Sequence, residues 1–246
     1  AVVGGLLAAG EPAREMIADE EAGGAGAPHG LATRIDWRAR PMTDRFDLLL
    51  CGVGKANAAA AVGRAMVTAR HGGVLSIGLG GGLAGSDVGD IVVASESVLA
   101  DDGAERPGGW ESSAAFGFPA AADIDESVAL AAGGMGVRCD ERLTASARAV
   151  AEAAVLAGGG RGSVYVGGVA TVSTCSGTDR HASAVLERTG AAAEAMEGAA
   201  VGLTAKRLHA TCLFGEVRLI SNRTGDDAGW DLPGSLALLE AVAARL

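Results

Sequence analysis

The chain has 246 residues, a formal charge of −10, 49% apolar residues and 20% charged ones. That apolar share excludes global disorder, and 39 glycines without a three-residue period, beside only 6 prolines, exclude a collagen-like chain. Acidic residues spread along the chain exclude the basic footprint of a nucleic-acid binder, and the apolar runs are broken by Gly or Arg too early to span a membrane.

Residues 1–9 form an apolar run that ends in a turn near Gly10. Residues 12–22 have helical spacing, with Pro12 at the start and Met16 and Ile17 on one side. Phe46 to Val53 is a continuous apolar strand of the kind covered on both faces. Residues 55–70 follow as an amphipathic helix, with Ala58, Val62, Ala65, Met66 and Ala69 at helical spacing. Val74 to Leu79 is a buried strand that runs into a glycine loop at Gly80-Gly81-Gly82, and Asp90 to Val98 is another strand. Residues 101–122 read as a long loop, a length that is often functional. A helix at 144–157, a strand from Ser163 to Val172, helices at 180–189 and 198–208, a strand from Leu213 to Ile220 and a helix at 234–245 complete the chain.

This alternation predicts an α/β fold, with a mixed, mostly parallel central sheet flanked by helices in one domain over residues 1–246. The four cysteines and four histidines match no metal or redox spacing, so no metal and no cofactor are expected. Three of the cysteines lie in or near apolar runs and are expected to be buried thiols. No basic, then apolar, leader pattern opens the chain, and the expected compartment is the cytoplasm.

Two familiar motifs fail. Gly80 to Gly85 satisfies G-x-G-x-x-G, but a strand follows where a dinucleotide site needs a helix N-terminus. Gly52-Val53-Gly54-Lys55 lacks the first glycine and the Ser/Thr of a phosphate loop. No G-x-S-x-G hydrolase elbow occurs.

Three segments remain unusual. Gly78 to Asp90 brings glycines to a strand end, where backbone can approach a ligand closely. Met196-Glu197-Gly198-Ala199-Ala200 sets an acid just before a small-residue helix. Ile220-Ser221-Asn222 places polar groups at the carboxyl end of an apolar strand, where open α/β sheets bind ligands. Taken singly, Glu197 is equally a helix-end acid and Asn222 equally a turn residue.

Taken together and in this order, the chain resembles the nucleoside phosphorylase/nucleosidase superfamily. The resemblance rests on residues 52–59, on Gly80-Gly81-Gly82-Leu83 followed by Val88-Gly89-Asp90-Ile91-Val92-Val93, on residues 196–200 and on Arg218-Leu219-Ile220-Ser221-Asn222. It implies a three-layer phosphorylase/hydrolase-like fold, a small-molecule nucleoside substrate and a homo-oligomer, whose sites are often completed by a partner subunit. It also implies that Glu197 holds the ribose 2′-hydroxyl with Met196 packed under the sugar. Gly80, Gly81, Ser176, Gly177 and Ser221 are then the further substrate-binding candidates.

Breaking an N-ribosidic bond builds positive charge on the ribose, which a carboxylate stabilises, while the departing base needs hydrogen bonding or protonation. Relatives that cleave adenine nucleosides carry Asp where this chain has Asn222. An amide offers both a donor and an acceptor, which suits a 6-oxopurine and predicts hypoxanthine as the leaving base. In the family an acid after the first strand activates water; Glu11 and Glu15 are both candidates, and Glu15 is preferred because Pro12 puts it in the first turn of its helix. Gly78 to Asp90 contains no arginine to hold phosphate, which favours water as nucleophile. A 6-oxopurine phosphorylase and a non-catalytic nucleoside binder on the same fold are the alternatives.

Overall fold

Apolar runs bounded by Gly, Asp or Pro become strands here, and stretches with apolar residues at helical spacing become helices. A computed structural model describes residues 2–4, 36–41, 46–68, 71–83, 85–158 and 162–246. The described strands, in chain order, are β1 Val2–Gly4, β2 Asp36–Pro41, β3 Asp47–Leu50, β4 Gly73–Gly82, β5 Ile91–Leu99, β6 Gly103–Arg106, β7 Gly109–Ser112, β8 Leu130–Ala131, β9 Gly136–Arg138, β10 Val164–Thr171, β11 Ala193–Ala195 and β12 Leu213–Arg223. The described helices are α1 Lys55–Thr68, α2 Glu141–Ala157, α3 Asp179–Thr189, α4 Gly198–Leu208 and α5 Leu232–Ala243. The predicted helix at 12–22 and the turn near Gly10 lie outside the described residues.

The sheet is mixed, as expected, but it is not a simple layer between helices. β4 pairs antiparallel with β11, β11 parallel with β10, and β10 parallel with β5. β12 then pairs antiparallel with β5 and parallel with β4, so these five strands close on themselves. Beyond this partly closed barrel, β1, β3 and β2 extend the sheet from β4, and β9 and β8 extend it from β5. Two register shifts accompany the curvature, one between Gly167 and Gly168 and one between Ile220 and Asn222. Bulges of this kind bend a strand and sharpen its twist.

Gly80, Gly81 and Gly82 belong to β4 and not to a loop, which corrects the expectation above. They read as a loop because glycine normally weakens a strand. Here the barrel wall demands them: a Cβ on Gly80 would come within 2.9 Å of the Glu194 carbonyl, and one on Gly82 within 2.3 Å of the Ser86 carbonyl. The 101–122 stretch is likewise not plain loop. It holds the β6–β7 hairpin and a short 3₁₀ turn at Ser113–Phe116. The strands β8, β9 and β11 are too short to show a period of two.

Helices α1 and α4 pack on one side of the barrel, over Leu49, Val92, Val169 and Phe214. Helices α2 and α5 pack on the other, over Ile77, Ile91, Val93 and Leu219. Alanines such as Ala58, Ala61 and Ala65 are fully buried in the first layer, where small side chains bring helix and sheet close. α2 begins three residues earlier than its apolar period suggests, because the Asp140 carboxylate accepts from the amides of Arg142 and Leu143. Among the described residues, no helix is long and apolar enough to cross a membrane.

Candidate active site

Strand β12 alternates its side chains across the sheet. Val217 and Leu219 face the α2–α5 layer, while Phe214 and Ile220 face the α1–α4 layer. Glu216 and Arg218 share the second face, and Arg218 Nε donates to Glu216 Oε1 at 2.7 Å. Arg218 is the bulkiest fully buried side chain among the described residues. Its Nη2 donates to Ser76 Oγ at 2.8 Å and its Nη1 to Glu197 Oε2 at 3.1 Å. Burial alone would weaken the guanidinium's hold on its proton, but Glu216 and Glu197 override this and raise its pKa above the ordinary arginine value.

Glu197 occupies the N-cap position of α4, yet its side chain makes no capping hydrogen bond. Its carboxylate is turned inward, where Oε1 accepts from the Gly54 amide at 3.0 Å. Gly54 presents that amide from the turn between β3 and α1, in which Gly52 (φ +80°) and Gly54 (φ +96°) both take left-handed backbone that disfavours other residues. The end of α4 is tied down instead by Thr171, whose Oγ1 accepts from the Ala199 amide at 2.8 Å. A carboxylate at a helix end that ignores the helix, and is held on both oxygens by donors from distant elements, is an aimed group. Each oxygen keeps acceptor capacity for a further donor.

Asn222 lies near the end of β12, and the register shift at Ser221 sets it opposite Gly81. Bulges beside sites commonly re-aim a side chain in this way. Ser221 Oγ donates to Asn222 Oδ1 at 3.1 Å and contacts the Gly80 carbonyl at 3.3 Å. Asn222 Nδ2 donates to the Arg223 carbonyl at 2.8 Å. A Cβ on Gly81 would come within 2.9 Å of Thr224 Cγ2 and 3.3 Å of both Asn222 Nδ2 and Glu194 Cγ, so these three side chains close on the bare glycine.

Glu194, which the sequence reading passed over, is a buried carboxylate in β11. It accepts from the Ser176 amide at 2.8 Å and from Ser176 Oγ at 2.6 Å. Those bonds dock the segment after β10 against the site. Met196 is half-buried and receives the Cys175 thiol on its sulfur at 3.5 Å. Gly177 is exposed, with open space where a Cβ would stand. A second tie was also missed. Lys55, the first residue of α1, pairs with Asp101 and with Asp102, and Asp101 Oδ2 accepts from the amides of Ser173 (2.5 Å) and Thr174 (3.3 Å).

Glu197, Asn222, Ser221, Gly80, Gly81 and Ser176 are therefore joined through Arg218 and Glu194 into one contiguous wall, with Met196 and Gly177 at its margin. Glu11 and Glu15 lie outside the described residues. Among the described residues, no group of three His, Cys, Asp or Glu side chains is arranged to hold a metal ion. The one signal for the missed residues is charge in an apolar context: Glu216 and Arg218 interrupt the strand, and Glu194 precedes Met196.

The partly closed barrel thus carries a buried carboxylate, Glu197, and a strand-end amide, Asn222, on one wall. The family model of the phosphorylase superfamily matches residues 45–246, and the chain belongs to that superfamily. Futalosine hydrolase from Acidothermus cellulolyticus is 38% identical over 208 residues, covering 83% of this chain and 76% of that protein. Futalosine hydrolase from Streptomyces coelicolor is 34% identical over 214 residues, covering 83% of this chain and 80% of that protein. Within the superfamily the chain belongs to the family of these futalosine hydrolases. The solved 5′-methylthioadenosine/S-adenosyl homocysteine nucleosidase from Campylobacter jejuni shares the fold, with a TM-score of 0.62 at 17% identity over 99% of this chain and 94% of its own.

Proposed function

We propose that the protein hydrolyses the N-ribosidic bond of futalosine, releasing hypoxanthine and leaving dehypoxanthinyl futalosine, as a step of menaquinone biosynthesis in the cytoplasm. The observation that carries this is Glu197: a buried carboxylate at a helix N-cap that leaves the helix uncapped and is held inward by Arg218 and Gly54. The futalosine hydrolases that the chain resembles supply the substrate.

In this mechanism Glu197 accepts a hydrogen bond from the ribose 2′-hydroxyl. Its negative charge stabilises the positive charge that grows on the ring as the bond to the base lengthens. Met196 packs under the sugar. Asn222, held by Ser221, pairs with the purine at its O6 and N7 edge and stabilises the charge the base carries away. Gly80 and Gly81, whose Cβ places are taken by Glu194, Arg218, Asn222 and Thr224, border the nucleoside through their backbone, and Ser176 and Gly177 border the base. Glu15 activates the attacking water. The guanidinium of Arg218 is engaged by Glu216, Glu197 and Ser76, and so is not offered to phosphate, which supports water as the nucleophile. A homo-oligomer belongs to the same proposal, supported by the exposed apolar side chains Val67 and Phe118.

The test is incubation of the pure protein with futalosine in phosphate-free buffer, with free hypoxanthine measured by chromatography. Steady release is expected. Release only when phosphate is added makes the protein a phosphorylase, and binding without release makes it a nucleoside-binding protein; either result overturns the proposal.

A further inference from the structure

Glu216 stands in the interior of β12 with almost no surface left to solvent, among Phe214, Val217, Leu219 and Ile220. An apolar residue would fill that place at lower cost, because a buried ion pair seldom repays its desolvation. The cost is greater here, since Glu216 Oε2 has no hydrogen-bond partner. Gly198 is open to that carboxylate: a Cβ at position 198 would come within 2.1 Å of Oε2. Two features of the geometry give this arrangement a purpose.

The first is the plane of the Arg218 guanidinium. Glu216 takes Nε and Ser76 takes Nη2, so the fork is fixed from two sides and Nη1 is aimed at Glu197 Oε2. The second is charge. Arg218 and Glu197 alone would form a neutral pair, with much of the Glu197 charge drawn to the guanidinium. Adding Glu216 leaves the buried trio with one net negative charge, next to the place where the ribose becomes positive.

We propose that Glu216 is a positioning residue for ribosyl transfer, acting through Arg218 to hold the Glu197 carboxylate in place and to keep its negative charge available to the sugar. This rests on Glu197 being the ribose ligand. It acts on the transition state more than on the ground state, because the ring charge exists only there.

The test compares Glu216→Gln with the unaltered protein on futalosine and on 2′-deoxyfutalosine. Gln keeps the shape and an acceptor for Arg218 Nε but removes the charge. A kcat loss of about 10- to 100-fold on futalosine is expected, the range found when a partner orienting a metal ligand is removed. KM should change by less than about threefold, in keeping with a transition-state effect. On the 2′-deoxy substrate the two proteins should converge to within about threefold, because the contact through which Glu216 acts is gone. Equal loss on both substrates, or no loss on futalosine, overturns the proposal. Glu216→Asp, which keeps the charge but shortens the reach to Arg218, should retain more kcat than Gln; if Gln does not fold, Asp carries the comparison, with a smaller loss on futalosine and the same convergence on the 2′-deoxy substrate. An unaltered protein without activity on futalosine counts against the proposed function, whereas an active one with an unaffected Glu216→Gln counts against Glu216 alone.

Discussion

Arg218 and Glu197 meet at 3.1 Å between Nη1 and Oε2, where Arg218 keeps 1% of its side-chain surface and Glu197 7%. The guanidinium has a second carboxylate partner in Glu216, so removing Glu197 does not leave a bare buried charge. Glu197→Ala is therefore expected to fold, while kcat/KM for futalosine falls by roughly 10- to 150-fold, the equivalent of a charge-assisted hydrogen bond worth about 1.5–3 kcal/mol. Steady-state hypoxanthine release and a urea titration check the two halves. Unchanged turnover would discredit Glu197 as the ribose ligand.

Asn222 Oδ1 is held by Ser221, which sets the amide's orientation before any base arrives. Asn222→Asp replaces the donor–acceptor pair by a group that accepts when ionised and donates only when protonated. Competition between a 6-oxopurine and an adenine nucleoside should move towards adenine by about tenfold or more, since mismatched buried polar groups carry large penalties. An unaltered ratio of the two bases released would remove Asn222 from base recognition.

Asp101 links Lys55 to the amides of Ser173 and Thr174. Burial would raise its pKa, but the bonds to Lys55 and to those amides outweigh it and hold the carboxyl below the usual carboxylate value. A folded pKa below the unfolded one gives stability that is present above the unfolded pKa of about 3.9 and lost as pH falls through the folded value. The gap in urea midpoint between the unaltered protein and Asp101→Asn should be constant from pH 7 to about pH 5 and shrink below about pH 4. A gap that persists at pH 3 contradicts this.

Burial, and then the Glu197 carboxylate, push the Cys51 thiol up to about 12, with Arg218 opposing. Burial raises Cys139 and Cys212 as well. Cys175 is exposed, but it too is raised, by partial burial and by Glu194, Glu197 and Asp101. Thiolate is the reactive form. At neutral pH a maleimide should therefore label Cys175 slowly and the other three only after denaturation, as read by intact mass. Hypoxanthine should slow Cys175 further if the Ser176–Gly177 segment borders the base; no protection would separate that segment from the site.

Gly198 opens α4, where alanine would gain about 1 kcal/mol of helix propensity. The Glu216 carboxylate, 2.1 Å from the place of a Cβ, reverses that sign. Gly198→Ala should lose about 1–3 kcal/mol in urea unfolding, the usual cost of overpacking. A stabilised variant would show that Glu216 moves aside freely.

Most of the element order was legible because it is local. Apolar runs and helical spacing marked most of the long strands and helices. Short partners such as β9 and β11 escaped because two or three residues carry no period. Glu197 and Asn222 stood out as polar residues in apolar surroundings; in the structure Glu197 stands at the N-cap of α4 without a capping hydrogen bond, and Asn222 sits in a strand and not in a turn. Arg218 lies in the same run as Asn222, with Glu216 two residues away, but its other partners, Ser76 and Glu197, come from β4 and the start of α4 and meet it only in the fold.

What the amino-acid sequence determined by itself was the class of the long elements, their order and the standing of Glu197 and Asn222 as polar residues in apolar runs, since these depend on side chains within a few positions of one another. What only the tertiary structure decided was the closure of the sheet, the turning of Asn222 through the shift at Ser221, and the aim of Glu197. Glu197 is held by an amide 143 residues away and by an arginine 21 residues away. Partners so distant meet only after strands have bent and paired, and no local pattern of polarity records which of a buried acid's neighbours it will face.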